Sequence, residues 1–257
     1  MKKKYRLGTT SYIVPDNIIP NARYLAGKVQ DIQLILFQSD DIALPDSDDV
    51  KTLIDIAAPH DLNYSIHFPL DCVLGADEPL RTKSVNTSIE IINTTLALDP
   101  SVYIVHFNPD NCDHQAHTPS DNLQRWHDNN RRSMEEIIAA TNVPPEKFCI
   151  ETLFYPLAMV DDIIDAMELS VCLDIGHIIL SGASVEKHLD RYLQKVRSIH
   201  LHGTSGPKDH LDISHLDPAT LDLILTRIDN LDINLTIEVF NEPDFLKSME
   251  VLDEYYL

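Results

Sequence analysis

The stretch "LSVCLDIGHIILSG", residues 169–182, joins a short apolar run to an acid and an imidazole. The run before Asp174 is typical of a buried β-strand, and His177 follows three residues later, beyond Gly176. A strand that only had to turn would be better ended by Gly, Asn or Ser. This ending therefore indicates a functional strand end, provided that other strands of the chain end in the same way.

Short β-rich runs recur along the chain at intervals of roughly thirty residues, with amphipathic stretches between them, as in βαβ units. The runs are residues 5–10, 31–37, 62–68, 101–107, 147–153, 169–175, 196–202 and 233–240. The predicted helices are residues 17–29, 47–61, 80–98, 121–141, 156–167, 184–196 and 217–230, and Ser47, Ser184 and Asp217 are predicted N-caps.

This alternation predicts an α/β fold, a single (β/α)₈ TIM barrel that occupies residues 1–257 as one domain. A doubly wound sheet is the alternative. It is disfavoured because no Gly-rich phosphate loop follows the first run, and the whole chain has only seven Gly.

Composition argues against several classes of protein. The formal net charge of −21, from 41 acidic and 20 basic residues, repels phosphate backbones, so we expect no nucleic-acid partner. There is no apolar run of about eighteen residues, so we expect no membrane span. The first fifteen residues lack the apolar segment of a signal peptide, which favours a cytoplasmic location. Cys72, Cys112, Cys149 and Cys172 show no paired spacing, which is typical of reduced thiols.

Polar residues occupy one face of six predicted strands, near the carboxyl-terminal end of each. Alternate side chains of a strand share a face, so the large apolar residues of each run are expected to face the helices. The opposite face then points into the barrel, at the end where barrel enzymes keep their active sites. The residues predicted to point inward there are His67, His106, Glu151, Asp174, His200 and Glu238, with His202 on the face of His200.

A divalent-metal site is the interpretation that best accounts for six such residues in phase. A lone inward His is more often a satisfied core residue, but six buried acids and imidazoles would carry a large desolvation cost. Ligands of this mixed N/O type suit zinc, manganese or iron. His177 and His210 are expected to join from the loops that follow their strands, with Gly176 permitting a tight turn beside His177.

The set His67, His106, Glu151, Asp174, His177, His200 and Glu238 resembles the strand-end residues of the xylose isomerase-like barrel superfamily. That superfamily contains sugar isomerases, epimerases and the abasic-site endonuclease of the fourth type. The resemblance implies a central metal held by Glu151, Asp174, His200 and Glu238. It also implies a second metal on His67 and His106, with Glu151 bridging, as in the endonuclease branch. We accordingly expect two divalent ions and assign catalytic roles to Glu151, Glu238 and His177.

A third metal site of the endonucleases includes a His corresponding to His177 and an Asp-x-His element. This chain departs from that element, because Asp209 and His210 are adjacent in "GTSGPKDHLDISHLD".

Two longer stretches, residues 6–37 and 208–218, resemble the cobamide-remodelling phosphodiesterases within the same superfamily. They read "RLGTTSYIVPDNIIPNARYLAGKVQDIQLILF" and "KDHLDISHLDP". This resemblance implies hydrolysis of the nucleotide loop of vitamin B12-type corrinoids, and hence a small-molecule corrinoid partner. Composition and spacing do not indicate a corrinoid.

His67 and His106 distinguish the functional alternatives. In a two-metal phosphodiesterase they are ligands, since two cations can activate water and stabilise both the attacking and the leaving oxygen. In a single-metal sugar isomerase or epimerase they are substrate or acid/base contacts. A non-catalytic metal- or corrinoid-binding protein is the further alternative.

Substrate-binding residues are expected in the loops around the mouth. The segment "GTSGPK" follows the seventh strand, where barrels often hold phosphate, and it supplies Thr204 and Lys208. His202 and His210 complete the predicted substrate-binding set. His114 and His117 are expected on a flexible polar loop over the mouth.

Overall fold

A computed structural model describes residues 4–36, 44–108, 123–151, 153 and 155–255. Cys112, His114 and His117 lie outside the described residues.

Eight parallel strands form a closed barrel, in the order β1-β2-β3-β4-β5-β6-β7-β10, with β10 hydrogen-bonded back to β1. Each strand falls within one of the predicted runs, which confirms the (β/α)₈ barrel. The strands are β1 (Arg6–Thr10), β2 (Asp31–Ile35), β3 (Asn63–His67), β4 (Tyr103–His106), β5 (Phe148–Glu151), β6 (Ser170–Asp174), β7 (Val196–Leu201) and β10 (Asn234–Ile237).

Helices surround the barrel and connect its strands. They are α1 (Ile18–Leu25), α2 (Ser47–Ala57), α3 (Leu80–Thr95), α4 (Leu123–Thr141), α5 (Asp161–Ala166), α6 (Ile175–Leu180), α7 (Val185–Tyr192), α8 (Pro218–Ile228) and α9 (Glu242–Glu254). None of the helices in the described part of the chain has the length and hydropathy needed to cross a membrane.

Side-chain caps begin several of these helices. Ser184 accepts from the backbone N–H of Lys187, and Asp217 accepts from that of Thr220, as predicted. The predicted cap at Ser47 is wrong, because Asp46 caps α2 instead. Its carboxylate accepts two backbone N–H groups and forms a capping box with Asp49, so Ser47 is the first helical residue.

Three elements that follow barrel strands were not predicted. Helix α6 follows β6 directly, a hairpin of β8 (Gly203–Ser205) and β9 (Lys208–Leu211) follows β7, and α9 follows β10. His177 therefore lies in the first turn of α6 and His210 in β9, which corrects their predicted positions in loops. Asn241, the cap of α9, was a signal for that helix, whereas α6 is too short for a periodic pattern.

The core lies between the strands and the helices, where the outward-facing residues of the strands are buried together, Tyr64, Ile66 and Phe68 among them. Strand register then sets which inward residues are neighbours. His106 is paired with Glu151 across β4 and β5, and Asp174 with His200 across β6 and β7. The closed barrel therefore brings the predicted polar residues to one level of the interior.

Three cysteines lie within the described residues. Cys72, Cys149 and Cys172 are buried and free, as their spacing predicts.

Candidate metal centre

The carboxyl-terminal end of the barrel brings together all six predicted strand-end residues. Each is at most 6% exposed, so their charges are shielded from bulk water. Their atoms form two groups that share Glu151. We call them the His67 cluster (His67, His106 and Glu151) and the His200 cluster (His200, Glu151, Asp174 and Glu238).

In the His67 cluster, three ligand-type atoms face one another. His106 Nε2 lies 3.2 Å from His67 Nε2 and 3.1 Å from Glu151 Oε2, and His67 Nε2 lies 3.6 Å from the same oxygen. Ligands of one tetrahedral zinc ion are separated by about 3.3–3.5 Å, given Zn–N and Zn–O bonds near 2.1 Å. These separations fit a bound divalent ion.

The His200 cluster is built around the other oxygen of Glu151. His200 Nδ1 lies 2.8 Å from Glu151 Oε1, 3.2 Å from Glu238 Oε2 and 4.0 Å from Asp174 Oδ2. Glu151 therefore turns one carboxylate oxygen to each cluster, the orientation that a bridging ligand requires.

A third group lies beside the His200 cluster, nearer the surface. His177 Nδ1 is 2.8 Å from Asp174 Oδ2, and His177 Nε2 is 3.6 Å from Asp209 Oδ2. His210 Nε2 is 3.9 Å from the same Asp209 oxygen. His177, Asp209 and His210 thus offer three ligand-type atoms within 4.8 Å of one another, although Asp209 and His210 are adjacent in sequence.

Unsatisfied atoms test whether these residues fit divalent ions. Among the described residues, several buried ligand-type atoms of the two clusters have no hydrogen-bond partner: Glu151 Oε2, Asp174 Oδ2, His200 Nδ1 and Glu238 Oε2. Buried polar atoms without partners are rare and costly, because they lose their hydration without compensation. A cation at the centre of each cluster would satisfy these atoms.

The outer ring nitrogens support the same interpretation. His67 Nδ1 lies 3.0 Å from the carbonyl oxygen of Phe68, to which it donates, so the lone pair of Nε2 faces the His67 cluster. His200 Nε2 lies 2.9 Å from the amide nitrogen of Gln33, whose amide oxygen has no hydrogen-bond partner among the described residues. Rotating this amide by 180° would let its oxygen accept from Nε2–H and leave the lone pair of Nδ1 facing the His200 cluster. His67 has the tautomer of a metal ligand, and His200 has it when the Gln33 amide is rotated.

Neighbouring imidazoles stabilise the ionised form of two buried carboxyl groups in the clusters. Burial raises the pKa of the Glu151 carboxyl, but the imidazoles of His200 and His106 outweigh burial and hold that pKa well below its usual range. Burial likewise raises the pKa of Asp174, and His202 and His177 reverse this and lower it. Both carboxyl groups are therefore ionised, as metal ligands must be.

The pKa values of His106 and His177 are shifted in opposite directions. Burial lowers the pKa of His106, and the carboxylate of Glu151 only partly compensates. Burial also acts to lower the pKa of His177, but Asp174 overrides it and raises the pKa to about 9. His177, which is less buried than the strand-end residues, is therefore the more basic imidazole of the two.

Two cavities meet at the site. A cavity of about 170 Å³ lies over the clusters, with a wall formed by Ile35, Leu36, Phe68, Leu70, Leu153 and Phe240. A second cavity of about 870 Å³ shares Leu153, Asp174 and His177 with the first and extends over α6 to Pro207. No Lys or Arg within the described ranges lines either cavity.

The predicted substrate-binding residues lie in different surroundings. Thr204 is half-buried and Lys208 exposed on the β8–β9 hairpin, and His210 lines the smaller cavity. His202 is fully buried, with Nε2 3.1 Å from Asp174 Oδ1, and is not among the residues that line either cavity.

Some features of the site were missed or misread from the sequence. Gln33 was missed, although the alternation of β2 places it on the same face as Asp31, towards the interior. The tight turn predicted at Gly176 is wrong, because this residue lies within α6. Its glycine is needed for another reason: a Cβ there would lie 2.0 Å from His202 Cε1.

Comparisons with known proteins agree with the fold. The chain superposes on a D-tagatose 3-epimerase-like protein with a TM-score of 0.73 and 20% identity, covering 98% of this chain and 97% of the other. Endonuclease IV from Thermus thermophilus gives a TM-score of 0.72 and 16% identity, with 98% of both chains covered. The 3-keto-D-glucoside 4-epimerase from E. coli gives 0.73 and 13%, covering 98% of this chain and 99% of the other.

No curated protein sequence matches this chain. The family model described as "Xylose isomerase-like TIM barrel" matches residues 28–255, which is most of the chain. The solved relatives include both epimerases and an endonuclease, so they do not distinguish an isomerase from a hydrolase. By its sequence match and its closed barrel, the chain belongs to the xylose isomerase-like TIM barrel family.

Proposed function

We propose that this protein is a metal-dependent phosphodiesterase that hydrolyses the nucleotide loop of a cobamide. The observation that carries the proposal is the His67 cluster, which lies beside the His200 cluster and shares Glu151 with it. Two ligand clusters joined by one carboxylate favour a two-metal hydrolase over a single-metal isomerase.

The orientation of His67 and His106 supports a ligand role. Their Nε2 atoms face each other at 3.2 Å, and both side chains are almost fully buried. Both residues line the smaller cavity, and their two nitrogens converge with Glu151 Oε2 on one point, as the ligands of one ion do.

Divalent ions bound to the two clusters would polarise the phosphodiester and lower the pKa of water. The chain's own residues would do the remaining work. Water adds to phosphorus and releases a proton, a P–O bond breaks, and the leaving oxygen takes up a proton. We assign that proton to His177, because this residue borders both cavities. We assign Glu151 to bridging the ions and Glu238 to orienting the attacking water.

Substrate size and charge favour a bulky small molecule. The larger cavity, about 870 Å³, is in the range of about 300–1,000 Å³ that is usual for small-molecule sites. The lack of cationic side chains among the described lining residues, and the net charge of −21, disfavour duplex nucleic acid. The corrinoid itself rests on the resemblance of residues 6–37 and 208–218 to cobamide-remodelling phosphodiesterases.

Sugar epimerisation is the second candidate, and the structural comparisons support it better than they support cobamide hydrolysis. Two of the solved relatives described above have epimerase in their names, and the His200 cluster alone would hold the one metal that such chemistry needs. In that case, His67 and His106 would have no metal.

The test begins with metal content. Protein purified without chelators should contain about two divalent ions per chain, measured by mass spectrometry. A value near one would favour the epimerase.

Activity is then measured on coenzyme-form cobalamin under anaerobic conditions, by absorbance and mass. The expected product is a base-off, cobinamide-type corrinoid, and chelator-treated protein should not form it. Intact cobalamin together with rapid epimerisation of D-tagatose or D-fructose would overturn the proposal. Metal-loaded protein that turns over neither substrate would instead indicate a binding protein.

A further inference from the structure

The imidazole of His202 lies directly behind the Asp174 carboxylate, away from both cavities. We infer that His202 is a positioning residue, which holds Asp174 so that one of its oxygens faces the metal ions. This role differs from the substrate contact expected from the sequence. It rests on the metal centre of the proposed function.

The hydrogen bonds of His202 show which of its nitrogens donates to Asp174. Its Nδ1 contacts two backbone groups, lying 3.0 Å from the N–H of His210 and 3.2 Å from the carbonyl oxygen of Gly203. Its Nε2 lies 3.1 Å from Asp174 Oδ1. An ionised carboxylate can only accept, so Nε2 carries a hydrogen and donates it to Oδ1. With Nδ1 on backbone groups and a hydrogen on Nε2, His202 contacts Asp174 as a donor and leaves no free lone pair for a metal.

The two oxygens of Asp174 have different partners. Oδ1 accepts from His202 Nε2 and also from the backbone N–H of His177, over 2.8 Å. Oδ2 has no hydrogen-bond partner among the described residues and faces Nδ1 of both His177 and His200. Two donors on one oxygen fix the rotation of the carboxylate, which keeps the other oxygen available as a ligand.

Gly176 provides the space for this arrangement. A Cβ built there would lie 2.0 Å from His202 Cε1 and 2.4 Å from both ring nitrogens, and these are its three nearest atoms. Gly176 lies in α6, so an alanine meets no backbone strain of the left-handed kind. The cost of a methyl group at position 176 is therefore a clash with the His202 imidazole.

Substitutions at His202 and at Gly176 test this role independently. His202→Leu removes the donor, whereas His202→Gln keeps an N–H near the position of Nε2. Gly176→Ala pushes the intact imidazole away from Asp174. In Gly176→Ala/His202→Ala, the space left by the ring accepts the new methyl group, so this double variant controls for damage to α6.

The measurement is zinc affinity, by competition with a chromophoric chelator, together with the visible spectrum of the cobalt(II)-loaded protein. His202→Leu and Gly176→Ala should each weaken binding at the His200 cluster by about 10–100-fold and alter the cobalt spectrum. His202→Gln should recover most of the affinity. The double variant should bind no more weakly than His202→Ala alone, because the two changes act on one contact.

Unchanged affinity and spectrum in His202→Leu would overturn the positioning role, as would a His202→Gln variant no better than His202→Leu. Loss of a whole metal equivalent in both His202→Leu and His202→Gln would identify His202 as a ligand instead. Thermal unfolding of the metal-free variants checks that each is folded. If the wild-type protein bound no metal, the proposed centre itself would be wrong, a result distinct from any difference among the variants.

Discussion

The barrel buries carboxylates at both of its ends, and the two ends satisfy them differently. At the amino-terminal end, the fully buried Asp31 accepts from Ser65 Oγ over 2.6 Å and from Ser101 Oγ over 3.2 Å. Asn234 Nδ2 donates to that same Ser101 hydroxyl over 2.9 Å. At the carboxyl-terminal end, three buried carboxylates each keep an oxygen without a hydrogen-bond partner among the described residues.

The difference shows what each end requires. Hydroxyl groups satisfy Asp31, and burial nevertheless raises the pKa of its carboxyl to about 6, so this end tolerates a neutral acid. At the other end, imidazoles hold the pKa values of Glu151 and Asp174 well below the usual range and keep both charged. Hydrogen bonds from hydroxyl groups are sufficient for the single buried acid at the amino-terminal end. The three buried carboxylates at the carboxyl-terminal end require positive charge nearby.

Glu151→Gln should have the largest effect, because this residue is shared by both clusters. We expect loss of bound metal and a fall in phosphodiesterase activity on the order of a thousandfold or more, since a Lewis-acidic metal contributes several kcal/mol. Metal analysis and cobalamin turnover measure this. The exposed Glu146→Gln is the matched control. A Glu151→Gln variant with full metal content and wild-type turnover would refute the bridging role.

His67→Ala and His106→Ala should each remove about one metal equivalent while leaving the His200 cluster loaded. Each change deletes one of three ligand-type atoms that converge within 3.6 Å. Metal content per chain is the measurement, and the exposed His60→Ala is the control. An unchanged number of metal ions per chain in both variants would mean that these histidines are not ligands, as in a single-metal isomerase.

Asp31→Asn should affect stability and not metal content. The pKa of Asp31 in the folded protein, about 6, exceeds the ordinary value of 3.8, so the folded state binds the extra proton between these values. The free energy of unfolding should therefore fall by about 2–3 kcal/mol as the pH rises from about 4 to about 6. This part of the pH dependence should disappear in Asp31→Asn.

Urea unfolding of wild-type and variant protein across this pH range measures the difference. A variant that kept the wild-type pH profile, or that lost metal, would contradict the separation of the two ends.

Lys208→Ala should have the smallest effect. The side chain is exposed on the β8–β9 hairpin and lies outside both described cavities, so at most it attracts an anionic substrate. We expect KM for cobalamin to rise a few-fold with kcat unchanged, because exposed charge contacts contribute about 1 kcal/mol or less. Lys51→Ala, on α2, is the control. A large fall in kcat would show that Lys208 takes part in catalysis.

The fold and the strand-end residues could be predicted because strand periodicity is local. Side chains alternate with a period of two, so the apolar positions of β3 at Tyr64 and Ile66 already placed His67 on the opposite face. The same rule placed Glu151 and Glu238 inward. It would have identified Gln33 as well, had acids and imidazoles not been the only residue types considered.

Other features depended on contacts between distant parts of the chain. The glycine at position 176 is explained by the His202 imidazole, 26 positions away in sequence, and not by a turn. Asp209 and His210 have the wrong spacing for the family's third-site element, yet the hairpin brings both near His177. His202 shares its predicted face with His200, but its contacts with Asp174 and with the backbone N–H of His210 in the β8–β9 hairpin place it behind the carboxylate and not at the cavity.

The sequence by itself determined the barrel and the face of each strand, because both follow from which residues must leave water. Only the tertiary structure decided which atoms meet. The register of His106 with Glu151 and of Asp174 with His200 is set when the barrel closes. That closure leaves the two oxygens of Glu151 facing different clusters, because β4 presents His106 to one oxygen and β7 presents His200 to the other.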